Sequence, residues 1–204
     1  SKRTGSLSIK SLRESGIEPG AIVSKLVSLG TGDGINLKNN INEFIQKFSL
    51  SKYSTAPVRF EKEVLATVSR KLLSSLGIDE ISGLLGSIGV PNEMKEDFWI
   101  MAKDNIDAKE ELADIWNLCK DGVNKPVIAP EDEKFIKLAI SLIGEYPREK
   151  DSWQKLTEEL KTLTGRKGKD LFMPLRSFLT GKKDGPDMKK LFPLMQKIQK
   201  PGSS

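Results

Sequence analysis

Residues 164–188 read TGRKGKDLFMPLRSFLTGKKDGPDM, and this stretch sets the reading of the whole chain. It opens with a basic loop punctuated by Gly165 and Gly168. Leu171, Phe172, Leu175, Phe178 and Leu179 then recur at helical spacing, which predicts one amphipathic helix. Pro174 suits that helix only in its first turn, where a missing N–H costs least. Gly181 is expected to end the helix in the left-handed region. Lys169 and Arg176 are seven residues apart and so run along one line beside the apolar stripe. A basic turn, Lys182 to Pro186, leads to a second helix expected to begin near Asp187.

Charge is unevenly distributed. Residues 161–204 hold eleven Lys and Arg against three Asp, a net of +8, whereas the whole chain carries +5. The first 160 residues are therefore mildly acidic at −3. A basic end on an acidic body fits a polyanion footprint. It also fits a solvated helix face, or attraction to a membrane surface through residues 189–200, although Pro193 interrupts that last helix.

Composition narrows the chemistry. The chain of 204 residues makes one large domain or two small ones, with 37% hydrophobic and 30% charged residues. No run approaches the ~20 apolar residues of a membrane span, and no secretory signal is visible. The single Cys119 cannot form an internal disulfide and suits a reducing, cytoplasmic setting. With no His, a Ser–His or Cys–His pair and a His-ligated metal are excluded, and no metal site is expected. Cys119 reads as core filler.

The rest of the chain shows helical periodicity and no β-rich alternation, so the fold class is all-α. Two short helices are expected over 7–30, the first stopping at Gly16. The second runs from Pro19 to Leu29 with Ile22, Val23, Leu26 and Leu29 on one face. The Gly-rich residues 30–34 lack the spacing of a phosphate loop and read as a turn. A helix over 36–47 is expected to be capped by Asn39 or Asn40. Phe60, Val64, Val68 and Leu72 form a ladder ended by Gly77. Three short helices fill 78–122, with Phe98, Trp99, Leu112, Ile115, Trp116 and Cys119 as core. Residues 122–130, with two prolines, read as a linker. A helix from about Pro130 buries Phe135, Leu138, Ala139 and Leu142. Another, opened by a capping box of Asp151 and Gln154, buries Trp153, Leu156, Leu160 and Leu163.

The run TGRKGKDLFMPLRSFLTG followed by GP resembles the last domain of bacterial-type glutamyl-tRNA synthetases, with Asp184 standing where many members have His. Residues 1–9, SKRTGSLSI, resemble the end of that family's K-[LM]-S-K-R loop, and 48–75 resemble a further stretch. The resemblance implies a fragment without its nucleotide-binding catalytic domain. Residues 1–6 are then a remnant of the signature loop, with Lys2 its triphosphate-steadying lysine. Residues 7–50 are a stem-contact segment, and 51–124 and 125–204 are two helical anticodon-binding subdomains. It implies no cofactor in this fragment, and ATP and Mg in the full-length ligase. The implied partner is glutamate-acceptor tRNA, with a monomeric protein and no membrane.

By matching positions, Arg176, Pro186, Met188 and Asn105 are expected at the anticodon bases. Arg166, Lys167, Lys169, Lys182 and Lys183 are expected at phosphates, where cations set register without reading sequence. Asn105 stands where tRNA-discriminating members often carry Arg, so acceptance of glutamine tRNA as well is expected. On the residues alone, Arg176 can equally pair with a helix-end carbonyl or Asp184, and Pro186 and Met188 can simply fill a turn and core. The competing class is an all-α protein-interaction module without an RNA ligand, whose hot spots would be Trp99 and Trp116 if they were exposed.

Overall fold

The computed structural model describes residues 8–38, 40–57, 60, 62–124, 126, 128–146 and 149–198. Lys2, Asn39, Arg59 and Lys200 lie outside them. Among the described residues there are α-helices, 3-10 turns and no strands. The all-α expectation is met.

The chain forms two compact units: residues 1–81 with 106–112, and 82–105 with 113–204. This division does not coincide with the expected boundaries after 50 and 124.

In the first unit, α1 (Ile9–Glu14) is opened by reciprocal bonds between Ser8 and Ser11, each hydroxyl accepting from the other's amide at 3.0 and 3.1 Å. The second helix, α2 (Pro19–Ser28), packs across α4 (Lys62–Ser74). Leu12, Ala21, Leu65, Val68 and Leu72 form the buried centre, flanked by Ile17, Ile22, Phe60 and Val64. The expected face of α2 holds only in part: Ile22 packs against the core, but the fully buried residues are Ala21 and Ser24, and Leu26 is 52% exposed. Close helix packing takes small side chains at the seam and turns Leu26 outward. Buried Glu18 accepts an ion pair from Lys109 Nζ at 2.7 Å, and its amide donates to Ser69 Oγ at 2.8 Å. Both ends of Glu18 are thereby satisfied, as a buried carboxylate requires. The helix expected over 36–47 is only α3 (Ile41–Ile45), capped by the Asn40 side chain accepting from Asn42 N at 3.0 Å.

Helix α5 (Ile78–Ser87) follows, and then in order α6 (Lys95–Ala102), α7 (Glu111–Asp121), α8 (Glu133–Ile143) and α9 (Ser152–Thr164). Next come α10 (Lys169–Thr180) and α11 (Met188–Leu191). Within the second unit α8, α9 and α10 pack on one another, and α11 closes on α6 and α9. Phe98 meets Trp116 edge-on at 5.5 Å, and Trp153 meets Phe192 at 5.5 Å. Such aromatic pairs are worth about 0.5–1.5 kcal/mol beyond their buried area. Leu163, expected inside, is 57% exposed, and Thr157 takes the inner position instead.

The capping box at Asp151 is absent. Its side chain makes no cap bond and instead pairs with Lys155 at 2.7 Å, which holds its carboxyl below the usual range. Ser152 Oγ instead accepts from Glu149 N, upstream of the helix, at 2.9 Å.

Candidate nucleic-acid interface

The basic stretch folds as α10 between two turns. Gly165 ends α9 at φ 70° and Gly168 enters α10 at φ 53° with ψ −130°, a backbone that side chains other than glycine avoid. Gly181 closes α10 at φ 68°, its amide donating to Ser177 O at 2.9 Å. Leu171, Leu175, Phe178 and Leu179 face inward as the periodicity predicts, while Phe172 is 44% exposed.

Pro174 is not in the first turn. It is the sixth residue of α10. A residue with an N–H at 174 would donate to the Asp170 carbonyl four residues earlier. Arg166 supplies that donor instead, its Nη1 lying 3.2 Å from Asp170 O. The same guanidinium pairs with Asp132 Oδ1 at 2.5 Å and donates through Nη2 to Glu131 O at 3.3 Å. It also sits 4.4 Å from the centroid of the Phe135 ring. Arg166 is thus a tie between the start of α10 and the start of α8, not a free cation on the loop.

The other cations of this stretch differ. Lys167, Lys169, Lys182 and Lys183 are exposed, and none of them forms an ion pair among the described residues. Arg176, half-buried, donates from Nη1 to Pro186 O at 3.0 Å and likewise has no carboxylate partner among the described residues. This one bond staples α10 to the turn at 181–187 and leaves the rest of the guanidinium fork uncommitted. Pro186 is half-buried. Met188 is 4% exposed, so its side chain belongs to the core and not to the surface. Asn105, exposed just past the end of α6, donates from Nδ2 to Met101 O at 3.2 Å.

Beside α10 lies a concavity of about 650 Å³. Val123, Ile128, Met173 and Pro174 provide apolar walls, and Ser177, Lys183 and the Arg166-paired Asp132 are its polar lining. That volume lies within the range of small-ligand pockets, roughly 300–1,000 Å³. Apolar and basic groups side by side suit a base and its phosphate. Spacing along the chain gives no sign of this concavity, because Val123, Ile128 and Ala129 reach it only through tertiary folding.

Trp99 and Trp116 are 3% and 2% exposed, core residues as expected, so the competing interaction module does not have them as surface hot spots. Leu191, Phe192, Leu194 and Met195 are buried as well, so residues 189–195 present no apolar face to a membrane. Among the described residues no helix is long and apolar enough to cross a membrane, and no three His, Cys, Asp or Glu side chains gather where a metal ion would sit.

Cys119 is buried, and burial pushes its thiol up to about 12 from the ordinary 9.0. The thiol is expected to resist alkylation at pH 8 until the chain unfolds, which mass spectrometry after brief iodoacetamide treatment would measure. The folded value lies above the unfolded one, so this group leaves stability unchanged below about pH 9 and lowers it as pH rises toward 12. Rapid labelling of the folded chain would contradict the burial.

The fold is similar to part of two solved structures. It matches the crystal structure of glutamate-tRNA synthetase from Elizabethkingia anophelis with TM-score 0.68 and 20% identity, over 90% of this chain and 39% of that one. It also matches a glutamate tRNA ligase from Elizabethkingia meningosepticum, with TM-score 0.70 and 19% identity over the same shares. By sequence the chain is homologous to a part of the glutamate–tRNA ligases. It is 41% identical over 202 residues to glutamate–tRNA ligase 2 of Ruegeria sp. strain TM1040, and 40% identical to glutamate–tRNA ligase 1 of Ruegeria pomeroyi. Each alignment takes in 99% of this chain but only 46% and 45% of the relative. The chain thus spans somewhat under half the length of these relatives. No protein-family model matches it.

Proposed function

We propose that this chain is the tRNA-recognition part of a glutamate–tRNA ligase, comprising a stem-contact segment and an anticodon-binding region, and that it is not catalytic alone. In the whole enzyme glutamate would be activated with ATP and Mg before transfer to tRNA, with Lys2 near the triphosphate. The observation that carries this reading is the set of cations on and beside α10 with no ion pair among the described residues: Lys167, Lys169, Arg176, Lys182 and Lys183. It belongs to a segment related along 99% of its length to glutamate–tRNA ligases. Anticodon loops are splayed single strands, bound by cations at phosphates and by forks and apolar walls at bases. Arg176, aligned by Pro186 O, is the base reader. The lysines hold the backbone. Asn105, too short for a bidentate Arg-type contact, leaves the third anticodon position weakly discriminated and admits glutamine tRNA.

The test is binding of the chain to glutamate-acceptor tRNA and to the same tRNA with a swapped anticodon. Arg176→Ala is expected to weaken cognate binding at least tenfold and swapped binding far less, in line with about 1–3 kcal/mol for a good base contact. Equal losses on both RNAs would remove base readout from Arg176.

A further inference from the structure

The second unit holds a further cleft, of about 360 Å³, lined by none of the cations on and beside α10. Ile100 of α6, Pro193 and Leu194 form its apolar part. Lys150, Lys189 and Lys190 form its basic part, with Asp97 beside Lys150. Ile100 is 42% exposed, on a helix whose Phe98, Trp99, Met101 and Ala102 are all buried. A lone exposed aliphatic side chain is ordinary, but this one stands in a concavity among three cations.

The cleft is already formed in the chain by itself. Helix α11 is capped by Asp187, whose carboxylate accepts from Lys189 N at 2.9 Å, and it packs on α6 and α9. Leu191 and Phe192 are fully buried, Phe192 against Trp153. Gln196 N donates to Cys119 O at 2.7 Å, which holds the chain as it leaves the cleft. Lys189, Lys190 and Pro193 are thus presented on a fixed backbone, and a partner has little chain to order on binding.

Charge and shape narrow the occupant. Lys189 and Lys190 form no ion pair among the described residues. Lys150 reaches Asp97 only at 3.9 Å with both groups exposed, a weak pair. Three cations therefore face one carboxylate. A nucleic acid fits poorly. Among the described residues no aromatic ring and no guanidinium lines the cleft, so a base has nothing to stack on, and Asp97 repels phosphate. A membrane surface is flat and does not reach Leu194, recessed at 5% exposure. Carboxylates around one aliphatic side chain match both halves of the lining. We propose that this cleft docks an acidic segment of a partner protein, one aliphatic side chain resting on Ile100, Pro193 and Leu194 and flanking carboxylates meeting Lys150, Lys189 and Lys190. None of these residues is given to RNA above, so the two readings stand or fall separately.

The test titrates the isotope-labelled 204-residue chain with the peptide acetyl-Glu-Glu-Leu-Glu-Glu-amide and follows backbone amide resonances. Saturable shifts at Ile100, Lys189 and Lys190 are expected, with affinity falling as salt rises. Replacing the peptide's leucine by serine, or its glutamates by glutamines, should weaken binding about tenfold. Ile100→Ser should do the same, and so should Lys189→Ala combined with Lys190→Ala. These three side chains are exposed, so the variants are expected to keep the wild-type spectrum elsewhere. Equal affinity for the leucine and serine peptides would mean general attraction for acid and would overturn the proposal. The absence of saturable binding, or shifts confined to α10, would overturn it too. So would displacement of the peptide by oligouridylate that itself shifts Ile100, Lys189 and Lys190, because the occupant is then RNA.

Discussion

Arg166→Ala is expected to destabilise the second unit by about 2–4 kcal/mol. The change removes a partly buried ion pair, two bonds to carbonyls and a ring contact together. Breaking a fully buried pair costs about 3–5 kcal/mol, and this pair is 26% and 20% exposed, so the pair itself lies below that range. Asp132 loses its partner, and Asp170 O loses the donor that stands in for the missing N–H of Pro174. A cation over a ring adds about 0.5–1 kcal/mol. Arg166→Lys keeps the charge at Asp132, but one ammonium cannot span Asp132, Asp170 O and Glu131 O as a planar fork does. About half the stability is expected to return. Urea unfolding of the two variants beside Lys167→Ala measures this. Lys167 is exposed and has no ion pair among the described residues, so its removal is expected to stay within about 0.5 kcal/mol. A drop of less than about 1 kcal/mol for Arg166→Ala would mean that the tie is not structural.

The opposite pattern is expected for the four lysines. Replacing Lys167, Lys169, Lys182 and Lys183 together by Ala should leave stability nearly unchanged and remove most of the tRNA affinity. Each phosphate neutralised on a single strand contributes about 0.7 to the slope of log affinity against log salt. Removing these four cations should therefore flatten that slope by about 3, and affinity at low salt should fall at least a hundredfold. Arg166→Lys, measured at a temperature where it is fully folded, should leave the slope unchanged. An unaltered slope in the quadruple variant would place the RNA elsewhere. The two experiments together separate the arginine that ties α10 to the start of α8 from the lysines proposed to hold RNA, although all five side chains lie within eighteen residues.

Much of the fold was legible in the residues. The apolar spacing of Leu171, Leu175, Phe178 and Leu179, the stop at Gly181 and the helix start near Asp187 are local, because helix periodicity and termini involve neighbours three or four positions apart. The buried roles of Phe98, Trp116 and Cys119 followed in the same way. The errors fell where packing partners decide. Leu26 and Leu163 satisfy a helical pattern but face outward, because a narrow seam in α2 and the end of α9 leave them nothing to pack against.

The site divides along the same line. By itself the chain's order of residues determined its helices, the basic character of its end, and its kinship with glutamate–tRNA ligases, since each is carried by residue identity and short spacing. Tertiary structure alone decided which cations are free. Asp132 stands 34 residues before Arg166, and Pro186 ten after Arg176, and no local pattern shows that the first pair is closed while the second leaves a guanidinium half-committed. A charge becomes available to a ligand only when folding brings it no carboxylate, and that is settled by the approach of distant segments.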